Sequence, residues 1–173
     1  MSTMVRWLAR TTAVTALLLA GAGAVSAGPA SAAAASAGPA SADPAGRVFF
    51  GPPPASAQLS TLDPLDANTP TMSPAPRRVY NAADGSEWIC PVENLCVAVW
   101  DPTQSNWKVF DLYTCNRYYF SYWDGDGLYL DRQTAGTVSS VYNQSGGVLH
   151  TFTPDYPTVH VYNWSPAWSI RNC

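Results

Sequence analysis

The amino-acid sequence predicts an all-β domain, a sandwich or a closed barrel, filling the second half of the chain. Three observations lead there. Apolar and polar residues alternate in short runs after Trp88, Gly, Pro and Asp punctuate those runs at close intervals, and no window from Trp88 on carries the stripe of an amphipathic helix. Seven or eight short strands at such spacing fit a small sandwich or barrel. The averages of the whole chain, 173 residues at 47% hydrophobic and 12% charged, blend two unlike halves. Ten of the 15 prolines lie between Pro29 and Pro76, whereas six of the seven tryptophans and all four cysteines lie from Trp88 onward.

The strands follow in order. Leu95, Val97 and Val99 fall on one face of the first and Cys96, Ala98 and Trp100 on the other, and Asp101-Pro102 turns the chain. Trp107 to Tyr113 is the second, with Asp111 interrupting the face that carries Val109. Asn116 to Tyr122 is aromatic and strand-like, and Asp124-Gly125-Asp126-Gly127 is a hairpin-type turn into Leu128-Tyr129-Leu130. Thr137 to Tyr142, Val148 to Phe152, Val159 to Trp164 and Trp168 to Arg171 complete the series. A shift of 52 residues aligns Val97 with Leu149, Trp100 with Phe152, Pro102 with Pro154, Val109 with Val161 and Phe110 with Tyr162, which predicts two related halves. A second echo sets Ser140-Val141-Tyr142-Asn143 against Ser169-Ile170-Arg171-Asn172.

The front of the chain reads differently. Arg6 and Arg10 precede an uncharged Ala- and Leu-rich stretch from Ala13 to Val25, the pattern of an export signal, with small residues at Val25-Ser26-Ala27 for cleavage after residue 27. Ala40-Ser41-Ala42 would serve a cut as late as 42. The apolar stretch falls short of the roughly 20 residues that a transmembrane helix needs, so a secreted, extracellular protein without stable membrane insertion is expected. Residues 28–78, rich in Ala, Ser and Pro, have too few large apolar groups to offset their ordering entropy and are expected to be a disordered pro-segment or linker. Phe49 and Phe50 precede Pro52-Pro53-Pro54, a run that favours an extended polyproline segment, either docked on the domain or spacing it from the cell surface. Arg77-Arg78 close the segment as two solvated arginines, and the β domain is expected at 79–173.

Four cysteines in a short exported chain imply disulfides, with three pairings open. Cys90 and Cys96 bracket a loop short enough to close locally, which would leave Cys115 for the terminal Cys173. Cross-links of this kind contribute about 3 to 4 kcal/mol in the chain-entropy treatment. Paired Cys-x-x-Cys ligands for zinc are missing.

Cys90-Pro91-Val92-Glu93-Asn94-Leu95-Cys96 ahead of a β run, with Val138-Ser139-Ser140-Val141-Tyr142-Asn143 later, resembles peptidase inhibitor family I36, the secreted actinobacterial family of the Streptomyces metalloproteinase inhibitor. The resemblance runs from about Gly85 to Cys173. It implies a small Greek-key, βγ-crystallin-like domain of two motifs, a Cys90–Cys96 bridge, and inhibition of a protease. Calcium-binding motifs of that fold place Asp or Asn ahead of the paired Ser. This chain has Ala135 and Gly136 there, and Trp164 and Ser165 in the second half, so no metal is expected at these positions.

From Val79 onward four basic residues face nine carboxylates, a net charge of −5, which argues against a nucleic-acid binder. There is no Gly-x-Ser-x-Gly elbow, no His-Glu-x-x-His and no phosphate loop, and the two histidines, His150 and His160, sit in predicted strands. A non-enzymatic protein without cofactor is expected. Its aromatic content exceeds what a small core holds, so some rings must face outward. Alternation sends half of Tyr118 to Trp123 away from the core. The candidate binding surface is therefore Tyr119, Tyr122 and Trp123, together with Trp107 and Tyr156. The loops Asp101 to Asn106 and Pro154 to Thr158 are candidate inhibitory loops. The expected partner of this monomer is an extracellular protease or, as an alternative, a cell-wall or other glycan polymer.

Overall fold

The computed structural model describes residues 42–50 and 68–173. The export signal expected at 1–27 lies outside them. Twelve strands are found among the described residues: β1 (Arg47–Phe49), β2 (Thr71–Ser73), β3 (Arg78–Ala82), β4 (Glu87–Ile89), β5 (Leu95–Asp101), β6 (Asn106–Leu112), β7 (Arg117–Ser121), β8 (Asp126–Asp131), β9 (Ser139–Tyr142), β10 (Val148–Phe152), β11 (Val159–Asn163) and β12 (Ser169–Arg171). They form two five-stranded antiparallel sheets and a two-stranded ribbon. The order is β11-β8-β5-β6-β3 in one sheet, called here the central sheet, and β10-β9-β12-β7-β2 in the other, the outer sheet. The ribbon is β1 paired with β4.

β5 explains the layering. All seven of its residues are buried, as befits a strand covered on both faces. Leu95, Val97 and Val99 enter a core between the two sheets, where Phe110, Leu112, Tyr118, Phe120, Val141, Trp164 and Ile170 meet them. Cys96, Ala98 and Trp100 enter a second core on the other side of the central sheet, roofed by Ala42, Val48, Phe50 and Trp88. The alternation read from the sequence thus separates two cores rather than a core from solvent. Gly127 lies where strand β8 crosses the inner core: a Cβ there would collide with the Ala98 carbonyl and the Trp164 indole, so no larger residue fits.

The roof comes from the stretch expected to be disordered. Phe50 slots between two indoles, its ring 5.3 Å from Trp88 at 17° and 5.0 Å from Trp107 at 9°. Around it, Cys90 N donates to Gly46 O, Arg132 Nη1 donates to the carbonyls of Ala45 and Cys90, and the Tyr156 hydroxyl donates to Asp43 O. Thr71 to Ser73 forms the edge of the outer sheet against β7. The expectation of disorder over 28–78 therefore does not hold for 42–50 and 68–78, which belong to the same fold as the residues after Val79. Arg77 and Arg78 are engaged as well. Arg78 Nε donates to Asp111 Oδ2 at 2.6 Å, and the Arg77 guanidinium lies 5.0 Å from the Tyr113 ring. Asp111, which interrupts the alternation of β6, is fully buried and ion-paired.

The eight strands from Leu95 to Arg171 appear where the periodicity puts them, and the four short ones before them went unread. The strand order shows a likeness of another kind: the central sheet sets β5 between β8 and β6, and the outer sheet sets β9 between β12 and β10. The shift of 52 aligned β5 with β10 and β6 with β11, one strand out of step with that likeness. The second echo marks sheet neighbours: Ser169 pairs with Tyr142 and Ile170 with Val141. Disulfides join Cys90 to Cys96 and Cys115 to Cys173.

Candidate functional site

The outward residues of the outer sheet follow from its inward ones. Tyr118, Phe120, Val141 and Ile170 lie in the inner core, so their sequence neighbours on the same strands point the other way. Cross-strand pairing places them in rows. One row runs Arg117, Arg171, Ser140, Thr151, and the next runs Ser73, Tyr119, Ser169, Tyr142. The face is aromatic, hydroxylated and cationic. Arg117 binds the rows together: its Nε donates to Ser169 Oγ at 3.0 Å, and its guanidinium lies 4.0 Å from the Tyr142 ring and 5.8 Å from that of Tyr119.

At one end of this face the chain leaves β7 through Tyr122, which has φ 63°. A left-handed backbone is costly for a residue with a Cβ. It breaks the alternation, turning the Tyr122 ring out to 62% exposure while Trp123 returns to the core. Trp168, 47% exposed, stands beside it as a ridge between two shallow grooves of about 390 and 430 Å³. Tyr122, Ser121 and Ser165 line the first groove with Trp168, and Asn143, Gln144 and Pro166 line the second. Trp168 is held by its backbone, N to Tyr142 O at 2.8 Å and O from Phe120 N at 2.9 Å.

Of the five residues expected to form the surface, Tyr119 and Tyr122 are exposed. Tyr119 is 55% exposed on β7, which ends at Ser121 just before Tyr122. Trp123 is buried, stacked on Phe120 at 4.2 Å with its Nε1 donating to Thr71 O. Trp107 is buried under Phe50, and Tyr156 is half-buried, clamped by Arg132 at 4.7 Å. These three are corrected to structural roles because the roof and the edge strand β2 take up their outward faces. The argument that a small core cannot hold the aromatics fails for the same reason: there are two cores, and of the tryptophans from Trp88 on only Trp168 is exposed. Sequence reasoning missed Trp168, Arg117 and Arg171 as a group, since only the β7-β12-β9 pairing brings them together.

The candidate inhibitory loops differ in the same way. In the β5–β6 loop, buried Asp101 accepts from Thr103 N at 3.0 Å and Thr103 Oγ1 at 2.6 Å, which holds exposed Thr103 and Gln104 outward. The 154–158 loop is drawn onto the roof by Tyr156.

Two buried carboxyls are perturbed. Burial pushes the Asp131 carboxyl up to about 6, with the Gln133 N–H on Oδ1 opposing this and the nearby Asp155 adding to it. Asp111 is also raised by burial, partly offset by Arg78. His150 and His160 are strand residues around Tyr129, with His150 Nε2 at 3.1 Å from the Tyr129 hydroxyl and His160 stacked on its ring at 4.6 Å. All four cysteines are bridged, so none offers a thiol nucleophile. Among the described residues no cluster of three metal-type ligands occurs, and no helix is long and apolar enough to cross a membrane.

The site belongs to a disulfide-braced, all-β sandwich with an exposed aromatic and cationic sheet face. Comparison with protein-family models, curated proteins and solved structures finds no match to this chain.

Proposed function

We propose that this chain is a secreted, non-enzymatic binding protein whose outer sheet recognises a cell-wall or other glycan polymer. The observation that carries the reading is the groove that exposed Tyr122 and Trp168 line together at the end of strand β7, on which Tyr119 is exposed as well, with Tyr122 held outward by a left-handed backbone. Strain of this kind persists where the surrounding structure imposes it, and such places are often binding sites. Flat rings with hydroxyl neighbours suit the faces and edges of sugars. The exchange of β7 and β11 between sheets supports a Greek-key, βγ-crystallin-like domain of the I36 type. Retention of the purified chain on chitin, peptidoglycan and cellulose tests the proposal. Tyr122→Ala and Trp168→Ala are each expected to weaken retention about tenfold, the equivalent of about 1.4 kcal/mol; unchanged retention in both variants would remove this surface from the argument.

A second reading, inhibition of an extracellular protease, is favoured by the Asp101-braced loop, because a rigid loop binds without an ordering cost. Stoichiometric inhibition of a secreted metallo- or serine protease, without glycan retention, would select it.

A further inference from the structure

We infer that the glycan taken by the outer sheet is anionic, a polymer of carboxylate-bearing sugars; this rests on the glycan reading above. The ground is a charge arrangement that folding by itself disfavours. Arg117 and Arg171 are direct cross-strand partners on β7 and β12, on the same outward face. Like charges in directly opposed positions destabilise a sheet. Neither arginine has a carboxylate within ion-pair distance among the described residues. The other cations of the domain after Val79 are committed elsewhere. Lys108 Nζ lies 3.8 Å from Asp101 and donates to Thr69, and Arg132 is bound to the carbonyls of Pro44, Ala45 and Cys90. A domain with nine carboxylates against four basic residues from Val79 on has thus set two arginines that lack a carboxylate partner side by side, in a strip free of acids.

The neighbours of the pair fit a sugar acid. Arg117 is pre-positioned by Ser169 and stacked on Tyr142, and the Tyr119 ring, 5.8 Å from the same guanidinium, is 55% exposed and can meet a pyranose face. Arg171 is exposed, and its side chain is available for two parallel N–H bonds to a carboxylate, the geometry in which guanidinium binds most strongly. Alternation of ring and charge on adjacent rows matches a chain in which every sugar carries both. A phosphate or sulfate monoanion would satisfy the arginines and leave the tyrosines unused.

The test is binding of the full chain to polygalacturonate, to its fully methyl-esterified form and to polyglutamate, followed by calorimetry or affinity electrophoresis. Polygalacturonate is expected to bind at least about tenfold more tightly than the ester, as the loss of one charged hydrogen-bonded contact implies. That preference should fall with added salt. Arg171→Gln should abolish the preference, the affinity for the acid falling to that for the ester, and Arg171→Lys should restore part of it. Equal affinity for the acid and ester forms, or no change in Arg171→Gln, would overturn the anionic inference and leave the glycan reading standing. Binding to none of the glycans would overturn both, and polyglutamate bound as tightly as polygalacturonate would mark a surface for acidic protein instead. A circular-dichroism melt unchanged in Arg171→Gln ensures that lost binding is not lost fold.

Discussion

The sandwich has two outer faces, and both carry aromatic side chains. On the central sheet the outward Trp100, Trp107 and Val109 lie under a roof of Val48, Phe50 and Trp88, while on the outer sheet Tyr119 is exposed and Tyr142 is half-buried under Arg117. The difference is one of supply. The first face is apolar enough to recruit a third layer, and the Pro-rich front provides it. The second is interleaved with Arg, Ser and Thr, whose desolvation would oppose any such cover. Aromatic density alone therefore does not mark a binding surface in this protein; aromatic residues set among polar ones on an uncovered sheet do.

The contrast can be broken hardest at the roof. Phe50→Ala removes a ring held between two indoles and is expected to cost about 3 to 5 kcal/mol, read as a shift in the urea midpoint and as a red shift of tryptophan emission. If the midpoint stays put, the roof is not part of the cooperative fold. A smaller effect is expected at Asp131, on the inner core. Its carboxyl binds a proton more tightly in the folded chain, with a pKa of about 6 against an ordinary 3.8. The stabilisation is therefore complete below about pH 4 and is lost as pH rises through about 6, amounting to about 3 kcal/mol. Asp131→Asn should flatten stability between pH 4 and 6 relative to the parent chain, keeping the acceptor for Gln133 N. An identical pH profile in the variant would show that the proton binds elsewhere. The smallest effect belongs to the open face, where Arg171→Gln should leave stability within about 0.5 kcal/mol or raise it slightly by relieving the Arg117 pair. A large loss there would mean that the face is structural like its counterpart.

Legibility followed the same division. The strands from β5 to β11 run four to seven residues between turn signals, three-residue β12 closes the same series after Ser165-Pro166, and the two faces of β5 separate as the alternation has them even though both are buried. β1, β2 and β4 have three residues each, precede that series of runs and turns, and are held by partners far away in sequence. The candidate site was half legible. Tyr119 follows the alternation of β7, whereas the left-handed backbone at Tyr122 shifts the phase by one residue, so that Tyr122 is exposed against the alternation and Trp123 is buried against it. The repeat set β5 against β10, which resemble each other in apolar pattern while occupying different places in their sheets.

By itself the sequence determined the β class, the eight strands from β5 to β12 and the aromatic density of the second half, because those depend on local alternation and composition. Only the tertiary structure decided which rings are buried, that the Pro-rich front contributes a roof, and that Arg117 and Arg171 stand side by side. Those outcomes depend on pairings between residues tens of positions apart, where no local periodicity carries the information.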